Sequence, residues 1–553
     1  LIDVVDGAFV LRKINNGIQG DYQPPTNREL VDLTRKHETS RSGVNNLGIP
    51  WGYAPAVFSQ KLLENDFKKN LVCYEWTPDS QALSLSNRAF KLITIPYLNG
   101  CVRELDDVVS FIDRTTSPGY PLNLKYDTKG AALDGEMPLI REIVSQIKLK
   151  GRFDVQFHVR EGYEIRWFHV FYLVSPKGEL RTVDKLMAEK PEDRKTRTFM
   201  CGDLILQLVC LMLYHDQNDS FLGMAGEREW SAVGMTPWYG GWNLMANYIQ
   251  SGGEVDPDIC CLDVQHMEAS VVDHIQIEID ETRNEALLLG NLAYGEDPGI
   301  LNLMSWAHRM MTELYIIGVN GWLYFRTCVN PSGKLNTATD NTMALMRVLL
   351  YCIAIDCKTV GELLAIYYNS PAKLFGDDSI IQWQPWVDQI IDRAKHLGFS
   401  MKFECPRSKL KDARFLNAGF YRSASMWYFM PNFEKIRASI FFVFKSRSWR
   451  LTYVKVCAYR QLVFPYKVYR DEADRFLRYI IRHHDDDMRN EHSMDSKITY
   501  ASARASLMSD ADNQFLCAGL EGSASTNDHL RRLSRSWAAA EPTCLTQVFS
   551  DVQ

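Results

Sequence analysis

The sequence predicts an α+β protein in which antiparallel hairpins are packed among long helices, and three stretches carry that reading. Residues 373–381 place two short apolar runs on either side of Gly376-Asp377-Asp378, a tight hairpin turn because Gly and Asp tolerate the backbone angles such turns need. Residues 259–262 form an apolar run that ends in Asp263, as a buried strand does when its carboxyl end opens onto a site. Residues 204–216, 272–313 and 338–357 have the length and pattern of helices.

At 553 residues the chain exceeds one ordinary core, which predicts two to four domains or one large multi-lobed body. An apolar content of 46% with 24% charged residues is ordinary for a globular protein. No apolar run approaches the ~18 residues of a membrane span, and the N-terminus lacks the order of a signal peptide. The chain begins at Leu1 rather than Met, which reads as a trimmed chain or a piece of a longer precursor. Thirteen cysteines, with no CxxC pair, argue for reduced thiols in a cytosolic setting and against a structural zinc. Cys260 and Cys261 are expected to be buried apolar residues.

Taken in order, residues 1–50 are polar and broken by Asn-Asn and Pro-Pro, an extended arm over a larger body. Helices are expected near 57–70 and 137–149. Between them, 115–121 must be a rigid loop, because two prolines and a glycine fall within four residues. Strands follow near 153–159, 165–174 and 179–184. The segment 184–199 alternates in sign, which usually marks a solvated loop. Its end, Arg194-Lys195-Thr196-Arg197, nonetheless puts cations on a strand edge suited to a polyanion such as a triphosphate. Residues 314–327 read as a hairpin about Asn320-Gly321. The loop 331–342 then enters a long helix with small and hydroxyl residues that offer donors to a phosphate or sugar.

Net charge is −6, which argues against a nucleic-acid binder, but the distribution is uneven. From 435 to 470 there are nine Lys or Arg, no Asp or Glu, and many aromatics. This is either a basic, partly buried helical region or a groove that neutralises phosphates and stacks bases. Residues 471–487 are acid-rich and contain His483 and His484, reading as solvated surface rather than a metal site.

If the strand ending at Asp263 neighbours the hairpin of Asp377 and Asp378, three carboxylates converge within a few ångströms. Such a group suits two Mg²⁺ ions about 3.5 to 4 Å apart, which activate an attacking hydroxyl and stabilise a leaving pyrophosphate.

Read in order, the chain resembles a viral RNA-dependent RNA polymerase of the positive-strand, picornavirus-like kind, with sobemovirus-like and picobirnavirus-like enzymes also similar. Thr116-Ser-Pro-Gly-Tyr-Pro121 is similar to the family's template-guiding loop and Lys195-Thr-Arg197 to its basic nucleotide-binding strand. Asp263 with Glu268 resembles motif A; Ser332, Gly333, Thr337, Asn341 and Thr342 motif B; Gly376-Asp377-Asp378 motif C. Residues 396–402 resemble motif D, and 415–421 the primer-grip hairpin.

The resemblance implies a right-hand fold. An N-terminal extension and fingers would span 1–204, palm 205–274, returning fingers 275–325, palm again 326–422, and thumb with the C-terminal region 423–553. It implies catalytic, metal-binding Asp263, Asp377 and Asp378, holding two Mg²⁺ ions, with Mn²⁺ a possible substitute. It implies NTP contacts from Lys195, Arg197, Glu268, Ser332, Gly333, Thr337 and Asn341, and a general acid at Lys402 or Lys409, with Lys411 also within register. RNA would meet Ser117 and Gly119 as template, and Lys445, Arg447 and Arg450 as product. Partners would be RNA, NTPs and other viral replication proteins, in a replication complex of the host cytoplasm or with the virion. One departure stands out. Glu268 occupies the place of a second Asp in motif A, one methylene longer, and is expected to bond Asn341 directly. Rival readings are a reverse transcriptase, a non-catalytic RNA-binding protein with a polymerase-like palm, and a metal-dependent nuclease.

Overall fold

The computed structural model describes residues 3–5, 8–13, 29, 52–56, 58–69, 71, 75–186, 188, 196–226, 228–251, 256–327, 330–423, 425–442, 448–491 and 499–506. Its centre is a four-stranded antiparallel sheet, in the order Ala372–Phe375, Asp378–Gln382, Ile259–Val264, Met401–Ser408. The apolar run at 259–262 is unbroken because both of its faces are covered. Side chains alternate across a strand, so Cys260, Leu262 and Val264 join one core with the helices Ser80–Thr94 and Thr337–Ala354. Ile259 and Cys261 join another with Trp242, Phe415 and Phe420.

The helix Thr337–Ala354 is buried on every side from Thr339 onward, as a helix apolar nearly all round must be. Its one basic residue, Arg347, is fully buried and is held by Glu278 at 2.6 Å and by the Ser86 hydroxyl at 2.6 Å.

A second sheet has six strands in the order Asp3–Val5, Ala8–Lys13, Trp322–Thr327, Glu313–Ile317, Tyr172–Pro176, Thr198–Cys201. Only the pairing of Glu313–Ile317 with Tyr172–Pro176 is parallel. One face packs on the helices Lys129–Lys150, Leu204–Leu222 and Pro298–Thr312. Part of the expected N-terminal arm is therefore sheet, since residues 3–5 and 8–13 pair beside Trp322–Thr327.

Several expected boundaries move for identifiable reasons. The strand expected at 165–174 is two strands: Tyr163–Trp167 closes a hairpin on Val155–Arg160, and Tyr172–Pro176 enters the large sheet. The Trp167 indole donates to the His169 carbonyl at 2.9 Å across the break. The helix expected at 137–149 begins at Lys129, capped by Thr128, and bends at Glu136 (φ −126°) because Pro138 has no N–H to continue the ladder. The strand expected near 179–184 is short, Leu180–Thr182, and passes directly into the helical turn Val183–Leu186. The helix expected at 204–216 continues to Leu222.

The largest correction concerns the basic stretch 435–470, three of whose cations are paired with carboxylates of the acidic stretch 471–487. The helices Phe433–Phe441, Trp449–Leu462 and Lys467–Asn490 pack around Phe441, Tyr453, Tyr459, Phe476 and Ile480. Arg437 pairs with Glu472 at 2.8 Å, Arg460 with Asp474 at 2.5 Å, and Lys467 with Asp471 at 2.8 Å. The acidic residues are thus counter-charges, and His484 is buried, stacked on Trp449 at 3.6 Å and bonded to Asp487 and Glu29. Arg450, expected on RNA, donates instead to the Met488 and Arg489 carbonyls at the end of Lys467–Asn490, where a cation complements the helix dipole. Lys445 and Arg447 lie outside the described residues.

Arg450→Ala should accordingly lower stability by ~1–2 kcal/mol. The salt dependence of RNA binding should stay unchanged, which thermal unfolding and binding titrations at several ionic strengths would check.

Candidate active site

The hairpin tip is fixed from both sides. Gly376 adopts φ +60°, which suits glycine, and its N–H donates to the Thr342 hydroxyl at 2.9 Å. The Asp377 carbonyl accepts from the Val264 N–H at 3.1 Å. Strand register then sets Asp378 opposite Asp263, and Lys402 opposite Asp263 on the other side.

The expected convergence of carboxylates is visible in how they act on one another. Burial, then the charges of Asp377, Asp263 and Glu404, push the Asp378 carboxyl up to about 8. Asp377 stays open to solvent at the tip, yet the surrounding protein and then Asp263 raise its pKa too. The three do not close on one point: Asp263 Oδ2 is 2.6 Å from the Lys402 ammonium. Among the described residues, no three His, Cys, Asp or Glu side chains are grouped closely enough to hold an ion as they stand. The donor set nonetheless fits a hard divalent cation. It is all oxygen, and its mutual repulsion is of the kind a bound cation relieves.

Lys402 is the one general-acid candidate brought to this place. Burial lowers its pKa, but the bond to Asp263 and the charges of Asp263, Glu404 and Asp378 outweigh that and raise it. Lys409 is bound elsewhere, 2.9 Å from Asp258 and 2.5 Å from the Asp256 carbonyl. Five residues of strand separate Asp258 from Asp263, roughly 16 Å at ~3.3 Å per residue. That distance removes Lys409 from the carboxylates. Lys411 lies one residue beyond the start of the short 3₁₀ turn Leu410–Asp412.

Cations face the carboxylates from the edge of the six-stranded sheet. Arg197 precedes the strand Thr198–Cys201, whose start is anchored by Asp66, accepting from the Thr198 N–H at 2.6 Å and its hydroxyl at 2.9 Å. Arg197 and Lys177 both draw the Asp377 pKa down against the surrounding protein and Asp263, and the Lys177 N–H donates to the Arg197 carbonyl at 2.8 Å. Lys195 lies outside the described residues. Sequence reasoning missed Lys177 and Arg181, and took Lys435 only as the start of the basic stretch; all three join this group. Burial pulls Lys435 down to about 8, Glu179 opposes, and Arg181, Arg197 and Lys177 add to the fall. The one available signal was the Lys177-Gly178 turn preceding a strand; nothing local points to Lys435.

Glu268 lies on the turn Met267–Ser270, half-buried. Burial raises its pKa to about 7, against hydrogen bonding from Ser332 and the charge of Lys177. Among the described residues, its Oε2 meets no hydrogen-bond donor. The expected direct bond to Asn341 gives way to a relay. The Asn330 N–H donates to the Glu268 carbonyl at 3.0 Å, and the Asn330 side chain donates to Asn341 Oδ1 at 2.6 Å. Asn330 preceded the stretch read as motif B and was missed.

Two further expectations change. Thr337 spends its hydroxyl within the loop, donating to the Pro331 carbonyl at 2.6 Å and the Lys334 carbonyl at 2.8 Å, rather than offering it to a nucleotide. Gly119 is buried at φ +78°, where a Cβ would lie 2.8 Å from the Gly202 carbonyl oxygen, so it packs the 115–121 loop down instead of touching template. Ser117 is half-buried and accepts from the Gly119 N–H at 3.4 Å. Gly333 also serves close packing: a Cβ there would lie 2.1 Å from the Met200 carbonyl oxygen. Ser332 remains exposed at the tip of its loop.

A hairpin of carboxylates on one sheet, faced by cations on the edge of another, defines a palm of the polymerase type. Comparison with known proteins agrees: residues 78–481 match the family model for viral RNA-dependent RNA polymerase. The chain belongs to that family, whose fold is the right hand. It is similar to the genome polyprotein of Lettuce mosaic virus (strain E), 24% identical over 257 residues, which is 44% of this chain and 7% of the polyprotein. The genome polyprotein of Tobacco vein mottling virus is 25% identical over 235 residues, 41% of this chain and 7% of the polyprotein. That of Watermelon mosaic virus II (isolate USA) is 27% identical over 261 residues, covering 44% of this chain and 22% of the relative. The chain thus spans a small part of each polyprotein. These potyvirus relatives fall within the picornavirus-like supergroup, in agreement with the motifs.

The raised Glu268 carboxyl gives a signed expectation. Between its ordinary value near 4.5 and about 7, the folded chain keeps a proton that the unfolded chain has lost, so this group lowers stability as pH rises through that window. Glu268→Gln should therefore gain ~1–3 kcal/mol over the parent at about pH 8 and little at about pH 5, read by denaturant unfolding at both values. Gly333→Ala should displace its loop and lower the unfolding temperature more than Gly376→Ala. At Gly376 a Cβ meets open space and carries only the ~1 kcal/mol strain of positive φ.

Proposed function

We propose that this chain elongates RNA on an RNA template, transferring nucleotides from NTPs to a 3′ hydroxyl with release of pyrophosphate. One observation carries the reading: Asp378 and Lys402 flank Asp263 in adjacent strands, opposite the cations Arg197 and Lys177. Asp263, Asp377 and Asp378 would hold two Mg²⁺ ions, or Mn²⁺ in their place. Bound there, the ions supply Lewis-acid activation of the 3′ hydroxyl and charge neutralisation at the phosphates.

The chain's own groups have separate tasks. Arg197 and Lys177, with Lys195, bind and orient the triphosphate, Arg197 by a fork of donors that matches phosphate oxygens. Lys402 leaves Asp263 once that carboxylate is otherwise engaged, and then gives its ammonium proton to the departing pyrophosphate. Ser332, Glu268, Asn330 and Asn341 surround the ribose, where the unpartnered Glu268 Oε2 accepts from a hydroxyl. Ser117 borders the template path, and Lys445 and Arg447 meet product RNA. Fingers of 1–204 and 275–325, palm of 205–274 and 326–422, and a thumb of 423–553 fit this division of labour. The setting would be a replication complex of the infected cell or the virion, with other viral replication proteins.

Primer extension on a defined RNA tests the reading. Asp263→Ala and Asp377→Ala should each remove nucleotide addition while RNA affinity stays within about twofold, since both lose metal ligands and neither contacts phosphate. Normal elongation by either variant would refute the metal assignment. Lys402→Met should slow addition by ~10²–10⁴-fold, the range for general acid catalysis, and flatten the alkaline limb of the rate profile. Lys409→Met should leave that limb in place.

A further inference from the structure

The loop that carries Ser332 is inside out. Lys334 is fully buried, whereas Leu335 beside it is 36% exposed and Ser332 is exposed. Burial by hydrophobicity alone would choose the reverse. The Lys334 ammonium lies 3.2 Å from Asp340 Oδ2. The other oxygen of Asp340 accepts from Arg283 at 3.0 Å and 2.8 Å, and Arg283 also donates to the Thr339 hydroxyl at 2.9 Å. Arg283, Lys334 and Asp340 all have no exposed side-chain surface.

One carboxylate therefore serves two buried cations. Nearby Asp280, itself 1% exposed, is held by His308 at 2.8 Å and by the Gln276 amide at 2.8 Å. Such an arrangement adds little stability, because buried ions surrender their hydration and packed apolar side chains do as well. What it does supply is position. Asp340 lies in the first turn of Thr337–Ala354, next to Asn341, which receives the Asn330 amide. Arg283 comes from the helix Asp273–Gly290. Lys334 ties the loop to Asp340, and through that carboxylate to Arg283.

We propose that Lys334 is a positioning residue for ribose recognition. Its ammonium, drawn into the Arg283–Asp340 pair, sets the height of loop 330–337, and hence the places of Ser332 and Asn341 against the sugar. The inference rests on the nucleotide site proposed above and assigns the control of its sugar selection.

The test uses the full chain with Lys334→Met, which fills similar volume and leaves Arg283 and Asp340 paired one to one, and with Lys334→Arg, which restores a cation. Three quantities are read: unfolding temperature, hydrogen exchange of the 331–337 amides, and the ratio of kcat/KM for NTP over dNTP. The Met variant should unfold near the parent, exchange the loop amides about tenfold faster, and lose about ten- to a hundredfold of ribose preference, mostly through KM. The Arg variant should recover part of both. Unchanged loop exchange together with an unchanged sugar ratio would overturn the proposal, as would a fall in unfolding temperature with the ratio intact, which marks a merely structural lysine. Should the Met variant not fold, Lys334→Gln is read by the same criteria. If the parent adds no nucleotides, the proposed activity fails while loop exchange still judges the role of Lys334.

Discussion

Pairing of the strand Asp378–Gln382 with Ile259–Val264 is the constraint on which the site depends. It sets two aspartates side by side that would separate if free, and the apolar cores on both faces of the central strand supply the force that keeps them there. The backbone of the turn adds a second restraint. Gly376 and Asp377 are tied to the helix Thr337–Ala354 through Thr342, and to the central strand through Val264. The carboxylates thus cannot relax their repulsion by moving the turn; they can only gain protons, take a lysine as Asp263 does, or take a cation.

The same economy of charge recurs elsewhere in the molecule. Acids and bases that look unbalanced in one segment are balanced by another: Arg437 and Arg460 by the helix Lys467–Asn490, and Lys334 and Arg283 by Asp340. Around the cations that face Asp377 the balance is left open. Burial first, and then the nearby cations Arg181, Arg197 and Lys177, pull Lys435 down to about 8, and a cluster of cations of this kind favours an anion.

What was legible in the sequence was local. Gly376-Asp377-Asp378 between apolar runs, Asp263 at the end of an apolar run, and Asn320-Gly321 between strands each carry their signal within ten residues, and each forms the expected element. The motif order also led to the right family. What was not legible depends on partners distant in sequence. The stretch holding Arg437 left a phosphate groove open as a reading because Glu472 lies 35 residues on, and Arg450 read as an RNA contact because the helix end it caps lies beyond the basic stretch. Gly119 and Thr337 sit in motifs, so they read as ligand contacts; close packing at Gly202 and loop closure at Pro331 explain them instead. Asn330 had no pattern to announce it and Lys177 only a turn before a strand, since their importance comes from what the fold brings opposite.

The way the six-stranded sheet is assembled also bears on how the chain comes to be folded. The strands Asp3–Val5 and Ala8–Lys13 are made first, yet their partner Trp322–Thr327 follows only after about three hundred more residues. Until then the early strands pair only with each other, and once made, Trp322–Thr327 presents an open edge until they arrive. A contact of such long sequence separation closes late and slowly. The Trp322–Thr327 side of the sheet therefore matures after the helices beneath it, leaving an interval in which an unpaired strand edge is available to any other extended chain nearby.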